Sequence, residues 1–176
     1  MDHPATPFTP ARTADLLQSA LTVIAAEGAA VPDAVLRWRP APGEWCIKEV
    51  LGHLIEAEQR GFAGRIRIIL GADTPAFESW DPDEVARTRG DQDRRWSELI
   101  GEFARLRDDA IRLVRRLGED DLPRAGTHPK VGRLCVSDLL HEWVHHDRNH
   151  IRQMMANLQS IAWPHMGNAQ RFSAPG

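Results

Sequence analysis

The chain has 176 residues, which suits one domain with a core large enough to fold unaided. A formal net charge of -3 and a pI near 6.2 argue against a nucleic-acid-binding surface. No apolar run approaches a membrane span, and Met1-Asp2-His3-Pro4 lacks the basic and apolar regions of a signal peptide, so a cytoplasmic location is the default expectation.

Apolar residues recur at helical spacing along the chain, and no segment shows the alternation of a strand. Thr9-Pro10 reads as an N-cap followed by proline in the first turn, and Leu16, Leu17, Ala20, Leu21, Val23 and Ile24 carry a first helix to about Gly28. Pro32, Pro40 and Pro42 mark a linker from Val31 to Gly43 that cannot stay helical for long. A second helix is predicted from Ile47 to Leu70, with Val50, Leu51, Leu54, Ile55, Phe62, Ile66 and Ile69 on its apolar side. The connection Gly71 to Gly90, with Pro75, Trp80 and Pro82, is long for a compact domain and reads as a crossover or a functional loop. A third helix carries Trp96, Leu99, Ile100, Phe103, Leu106, Ala110, Leu113, Val114 and Leu117, and Gly118 stops it. After a loop from Glu119 to Arg133, a fourth helix is expected from about Val136 to Ser160, followed by a weakly patterned tail over 161–176. The expectation is an all-α four-helix bundle with long crossover connections, one domain over 1–176 with its core at about 10–160.

An internal repeat relates the second and fourth helices. Gly43-Glu44-Trp45-Cys46-Ile47-Lys48-Glu49-Val50-Leu51 parallels Gly132-Arg133-Leu134-Cys135-Val136-Ser137-Asp138-Leu139-Leu140, and in that register Glu58 matches Asp147. Each copy starts with Cys and has an acid three residues later, as in a capping box with thiol in place of hydroxyl.

The fourth helix holds two histidine pairs at i,i+4 spacing, His141/His145 and His146/His150, and such a pair can reach one ion from a single helix face. Helical phase separates them: His145 points away from the apolar side, whereas His146 and His150 lie at its flank. An isolated pair of this kind more often borders a core than binds metal. His53 alters the balance, because the repeat places it on the same flank of the second helix, and a bundle can bring the three imidazoles together. A three-histidine site would keep a position open for water or substrate, and imidazole suits zinc, nickel and iron alike.

Glu58 and Asp147 project near the centres of the apolar faces, where a carboxylate needs a partner. Either they pair with an arginine other than Arg148 or Arg152, or they orient a ligand imidazole or act as acid or base. The structural or orienting role is favoured, because direct proton transfer needs solvent access. Cys46 and Cys135 lie where a helix N-terminus stabilises thiolate, although capping is the simpler role for both. Two cysteines in a cytosolic setting do not suggest a disulfide framework. Trp45, Trp80, Trp143 and Trp163 are core or pocket aromatics, Gly61 and Gly64 suggest close helix approach, and His128 is a candidate pocket residue. The chain has no phosphate-cradling glycine loop, Gly-x-Ser-x-Gly elbow, Cys-x-x-Cys pair or His-Glu-x-x-His motif.

The segments Arg39 to Leu54, Gly126-Thr127-His128-Pro129 and His146 to Gln153 resemble the DinB-like superfamily and its YfiT-like relatives, over about Leu16 to Met155. That resemblance implies a four-helix bundle whose divalent ion is bound by one histidine of helix two and a His-x-x-x-His pair of helix four, here His53, His146 and His150. Where many relatives start these helices with Ser or Thr, this chain has Cys46 and Cys135. The resemblance further implies a small-molecule substrate, frequent homodimers, and activities that include thiol-dependent S-transfer, thiol-dependent isomerisation and metal-dependent hydrolysis. The leading expectation is an enzyme that activates a low-molecular-weight thiol cosubstrate, with hydrolysis or a non-catalytic metal-binding bundle as alternatives.

Overall fold

The computed structural model describes residues 8–173; the Met1-Asp2-His3-Pro4 start and the last three residues of the tail lie outside them. Helix α1 (Pro10–Ala29) begins where expected, with the Thr9 hydroxyl accepting from the Arg12 backbone N–H. The proline-rich linker allows one helical turn, α2 (Asp33–Leu36). Helices α3 (Ile47–Glu56) and α4 (Ala63–Gly71) follow, then α5 (Pro82–Arg89), α6 (Trp96–Arg115), a hairpin of β1 (Ala125–His128) and β2 (Gly132–Cys135), α7 (Val136–Ala162) and α8 (Gln170–Ser173).

Helix α1 packs on α6 and α7, and α3 packs on the same two helices, so the order around the bundle is α1, α6, α3–α4, α7. The core divides into two apolar clusters. One gathers Leu17, Ile66, Val114, Leu140 and Trp143; the other gathers Ile24, Leu51, Leu54, Leu99, Phe103 and Met154. Each amphipathic face thus finds cover on two neighbours, and that mutual burial is what holds helices of this length in water.

Two expectations need correction. The second long helix is not continuous: a π-turn over Ala57–Gly61 divides it, with the Phe62 N–H reaching back five residues to the Ala57 carbonyl at 2.8 Å. Gly64 makes this turn possible, because a Cβ there would stand 1.9 Å from the Gln59 carbonyl oxygen. Gly64 therefore serves its own helix backbone rather than an approach between helices, and Gly61 has only the Ala57 Cβ near it, at 3.7 Å. The second correction is the hairpin, since no strand was expected. Strands of four residues are too short to show alternation, and the turn between them depends on Gly132 at φ +78°.

The long connection after α4 is stitched to the hairpin. The Thr127 N–H donates to the Pro75 carbonyl at 2.8 Å, and the Phe77 N–H donates to the Thr127 carbonyl at 2.9 Å. Further on, Asp81 caps α5 through the N–H groups of Asp83 and Glu84, and Trp80 is thereby carried over the bundle surface near α3. No helix among the described residues is long and apolar enough to cross a membrane.

Candidate metal centre

Helices α3 and α7 start alike, as their repeated sequences suggest. The Glu49 carboxylate accepts from the Cys46 N–H at 2.9 Å, and the Asp138 carboxylate accepts from the Cys135 N–H at 2.8 Å. These acids fix the first turn of each helix and hence the phase of the residues that follow. Burial pushes the Cys46 thiol up to about 11, so it is not a thiolate at neutral pH. The Cys135 sulfur accepts from the Arg133 guanidinium at 2.7 Å.

With that phase set, His53 of α3 and His146 and His150 of α7 meet. Ring centroids are 4.5 Å apart for His53–His150 and His146–His150, and 5.0 Å apart for His53–His146. One ring nitrogen of each lies within 4.8 Å of the others. The Nε2 atoms of His53 and His146 are 3.0 Å apart. Two imidazole nitrogens bound at about 2.0–2.1 Å to a single ion stand roughly 3 Å from each other, so the donor set fits a first-row cation.

The protonation states fit as well. Burial, with the neighbouring His150 second, holds His53 down at about 3, and burial with the other two rings holds His146 down at about 2. His150 is also lowered, chiefly by burial. All three rings are therefore neutral at pH 7 and present a lone pair. The His150 Nδ1–H donates to Gln153 Oε1 at 2.9 Å, which leaves its Nε2 free to ligate. Aromatic rings flank the group, with Trp45 at 5.1 Å and Trp80 at 5.8 Å from His53 and Phe62 at 5.1 Å from His146. His145 is exposed on the other side of α7.

Glu58 and Asp147 meet the same buried guanidinium. Arg107 donates to both Asp147 oxygens, at 2.5 and 3.2 Å, and forms an ion pair with Glu58, which also accepts from the Trp143 indole N–H at 3.1 Å. Arg107 lies 4.7 Å from the Phe103 ring centroid and 5.8 Å from that of Trp143, at the junction of the two apolar clusters. Among the described residues neither carboxylate hydrogen-bonds a ring of the histidine trio; both are taken up by Arg107.

Two residues escaped the sequence reading. Gln153 is one helical turn beyond His150, a spacing that could have revealed it. Arg107 lies between Phe103 and Ala110 in the apolar stripe of α6, which marks it as the buried partner that Glu58 and Asp147 required.

Two openings reach the histidines. A cavity of about 490 Å³ ends at His146 and is walled by the π-turn, Trp80, the hairpin, where His128 and Leu134 face it, and Leu139 of α7. A smaller recess of about 260 Å³ ends at His150 and is lined by Glu44, Trp45, Asp83 and Gln153. Of the four tryptophans considered above, Trp45 and Trp80 line these openings, Trp143 is core, and Trp163 is largely exposed.

Comparison with known proteins agrees with this architecture. Uncharacterized protein YuaE of Bacillus subtilis (strain 168) is 27% identical over 138 residues, which span 69% of this chain and 82% of that protein. The structure of YfiT from Bacillus subtilis, described as "a probable metal-dependent hydrolase with an unusual four-helix bundle topology", superposes with a TM-score of 0.81 at 17% identity, covering 93% of this chain and 94% of that one. A family model of the DinB superfamily matches residues 8–154, a span that contains all three clustered histidines. The chain belongs to the DinB superfamily.

Proposed function

We propose that this protein is a divalent-metal-dependent enzyme that joins a low-molecular-weight thiol to an electrophilic small molecule, with His53, His146 and His150 holding the ion. Bound there, a divalent cation would lower the pKa of a thiol or water and supply a nucleophile at neutral pH. The observation that carries the reading is the neutral, converging nitrogen trio with separate openings at His146 and His150. Two openings suit two reactants.

The chain's own residues have distinct tasks in this scheme. Gln153 fixes the His150 tautomer, and Trp45 and Trp80 exclude water from the flanks of His53. Arg107 ties Glu58 of the π-turn to Asp147 of α7, which fixes the two histidine-bearing helices against each other. On this reading the two carboxylates are positioning residues and do not touch substrate.

Hydrolysis is the second reading, favoured by the description attached to YfiT. Protein loaded with zinc or nickel and given 1-chloro-2,4-dinitrobenzene should release chloride only when a thiol such as cysteine is present. Turnover of 4-nitrophenyl esters without thiol, and none of the arene with it, would select the hydrolase instead.

A further inference from the structure

We propose that the cavity ending at His146 is built for an organic anion: a small molecule with an apolar or aromatic body and one carboxylate, held by Arg65. This names the substrate class of the site just described and rests on that reading for its catalytic meaning, although the binding it predicts stands alone. At about 490 Å³ the cavity matches the size of an ordinary small-molecule site. Ala57, Phe62, Trp80, Val131, Leu134 and Leu139 make its walls mostly apolar.

Arg65 is the uncommitted cation of that cavity. Four other arginines are already engaged: Arg60 with Glu56, Arg89 with Glu56 and Asp91, Arg107 with Glu58 and Asp147, and Arg124 with the carbonyls of Ile69 and Leu70. Arg65 makes no ion pair among the described residues, and its buried Nε has no hydrogen-bond partner. Its guanidinium lies 5.5 Å from the ring centroid of Phe77, which lines a neighbouring recess that Arg65 also borders.

A half-buried guanidinium with an unused N–H on an apolar wall is costly unless a ligand completes it, and a carboxylate matches its geometry with two parallel hydrogen bonds. The acids lining the same cavity do not substitute for a ligand. Asp138 is occupied by the Cys135 N–H, and Glu142 is exposed at the rim. With the carboxylate on Arg65 and the apolar body against Phe62 and Trp80, the far end of the molecule faces His146, where the reactive carbon would belong.

Isothermal titration of the full-length protein with 4-phenylbutanoate, 4-phenylbutanamide and 4-phenylbutylamine tests this, in metal-loaded and metal-stripped forms. The carboxylate should bind about ten-fold or more tighter than the amide in both forms, and the amine weakest. Arg65→Gln should erase the preference and Arg65→Lys should keep part of it. Gly61→Leu, which adds volume to the cavity wall, should weaken all three probes. An amide that binds as well as the carboxylate overturns the proposal. So does a preference that survives Arg65→Gln, or one that vanishes on metal removal, because the anion would then sit on the ion. Loss of metal binding or turnover with the Arg65-dependent preference intact would instead defeat only the enzymatic reading.

Discussion

At the residue scale, the least expected arrangement is one arginine serving two buried acids. Arg107 carries a single positive charge between Glu58 and Asp147, so a proton retained on one acid brings the cluster to neutrality. Burial pushes Glu58 up to about 7, against the opposing pull of Arg107, and its Oε2 is buried without a partner. An acid whose folded pKa is raised contributes stability that is complete below its unfolded value of 4.5 and is lost as pH rises through about 7. Glu58→Gln imitates the protonated acid at every pH and retains a carbonyl for the Trp143 indole. The stability of the parent relative to this variant should therefore fall between about pH 4.5 and 7, by up to about 1.4 kcal/mol per pH unit, and level off above. Urea denaturation of both proteins across that range measures it, and a difference independent of pH would contradict a proton on Glu58. Taking the difference cancels the histidines, which act oppositely: His53 and His146, held low, cost stability as pH falls below 6.5.

At the scale of elements, the parts legible in the sequence were those governed by repeating patterns. Helices α1, α6 and α7 lie where apolar spacing and the Thr9, Gly118 and Cys135 boundaries put them, and phase alone selected His146 and His150 over His141 and His145. The DinB-like resemblance and the repeat both pointed to His53. What stayed hidden depends on contacts between segments distant in sequence: the hairpin needs Pro75 and Phe77 as edge partners, and the cavity needs Trp80 brought across from the loop before α5. The π-turn was invisible for a different reason, since Leu51, Leu54, Ile55, Phe62, Ile66 and Ile69 keep the spacing of an uninterrupted helix across it. Its two glycines now separate cleanly. Gly64→Ala should cost more than about 2 kcal/mol, because a methyl 1.9 Å from the Gln59 carbonyl forces the turn open. Gly61→Ala should be neutral or stabilise by up to about 1 kcal/mol, as its Cβ would meet only Ala57 at 3.7 Å. Thermal unfolding of the two variants side by side decides the matter, and equal effects would mean that the π-turn is not what Gly64 protects.

At the scale of the whole molecule, the histidine trio joins two helices that are remote in sequence, and each packs on a different further helix, α3 on α6 and α7 on α1. Any ligand that binds the folded trio and not the unfolded chain therefore adds to the stability of the entire bundle. Zinc or nickel at about a hundred times its dissociation constant should add about 2.7 kcal/mol, which for a chain of this size is a rise in Tm of roughly 5–10 °C. The increment should disappear with excess chelator and be absent in His150→Ala. His145→Ala tests the specificity of the effect, because His145 lies on the same helix but is exposed on the far side. It should leave the metal-dependent rise intact while removing an equivalent imidazole. Were the metal to raise Tm by the same amount in His150→Ala as in the parent, the ion would be binding elsewhere on the surface, and the bridge between α3 and α7 would lose its role in holding the bundle together.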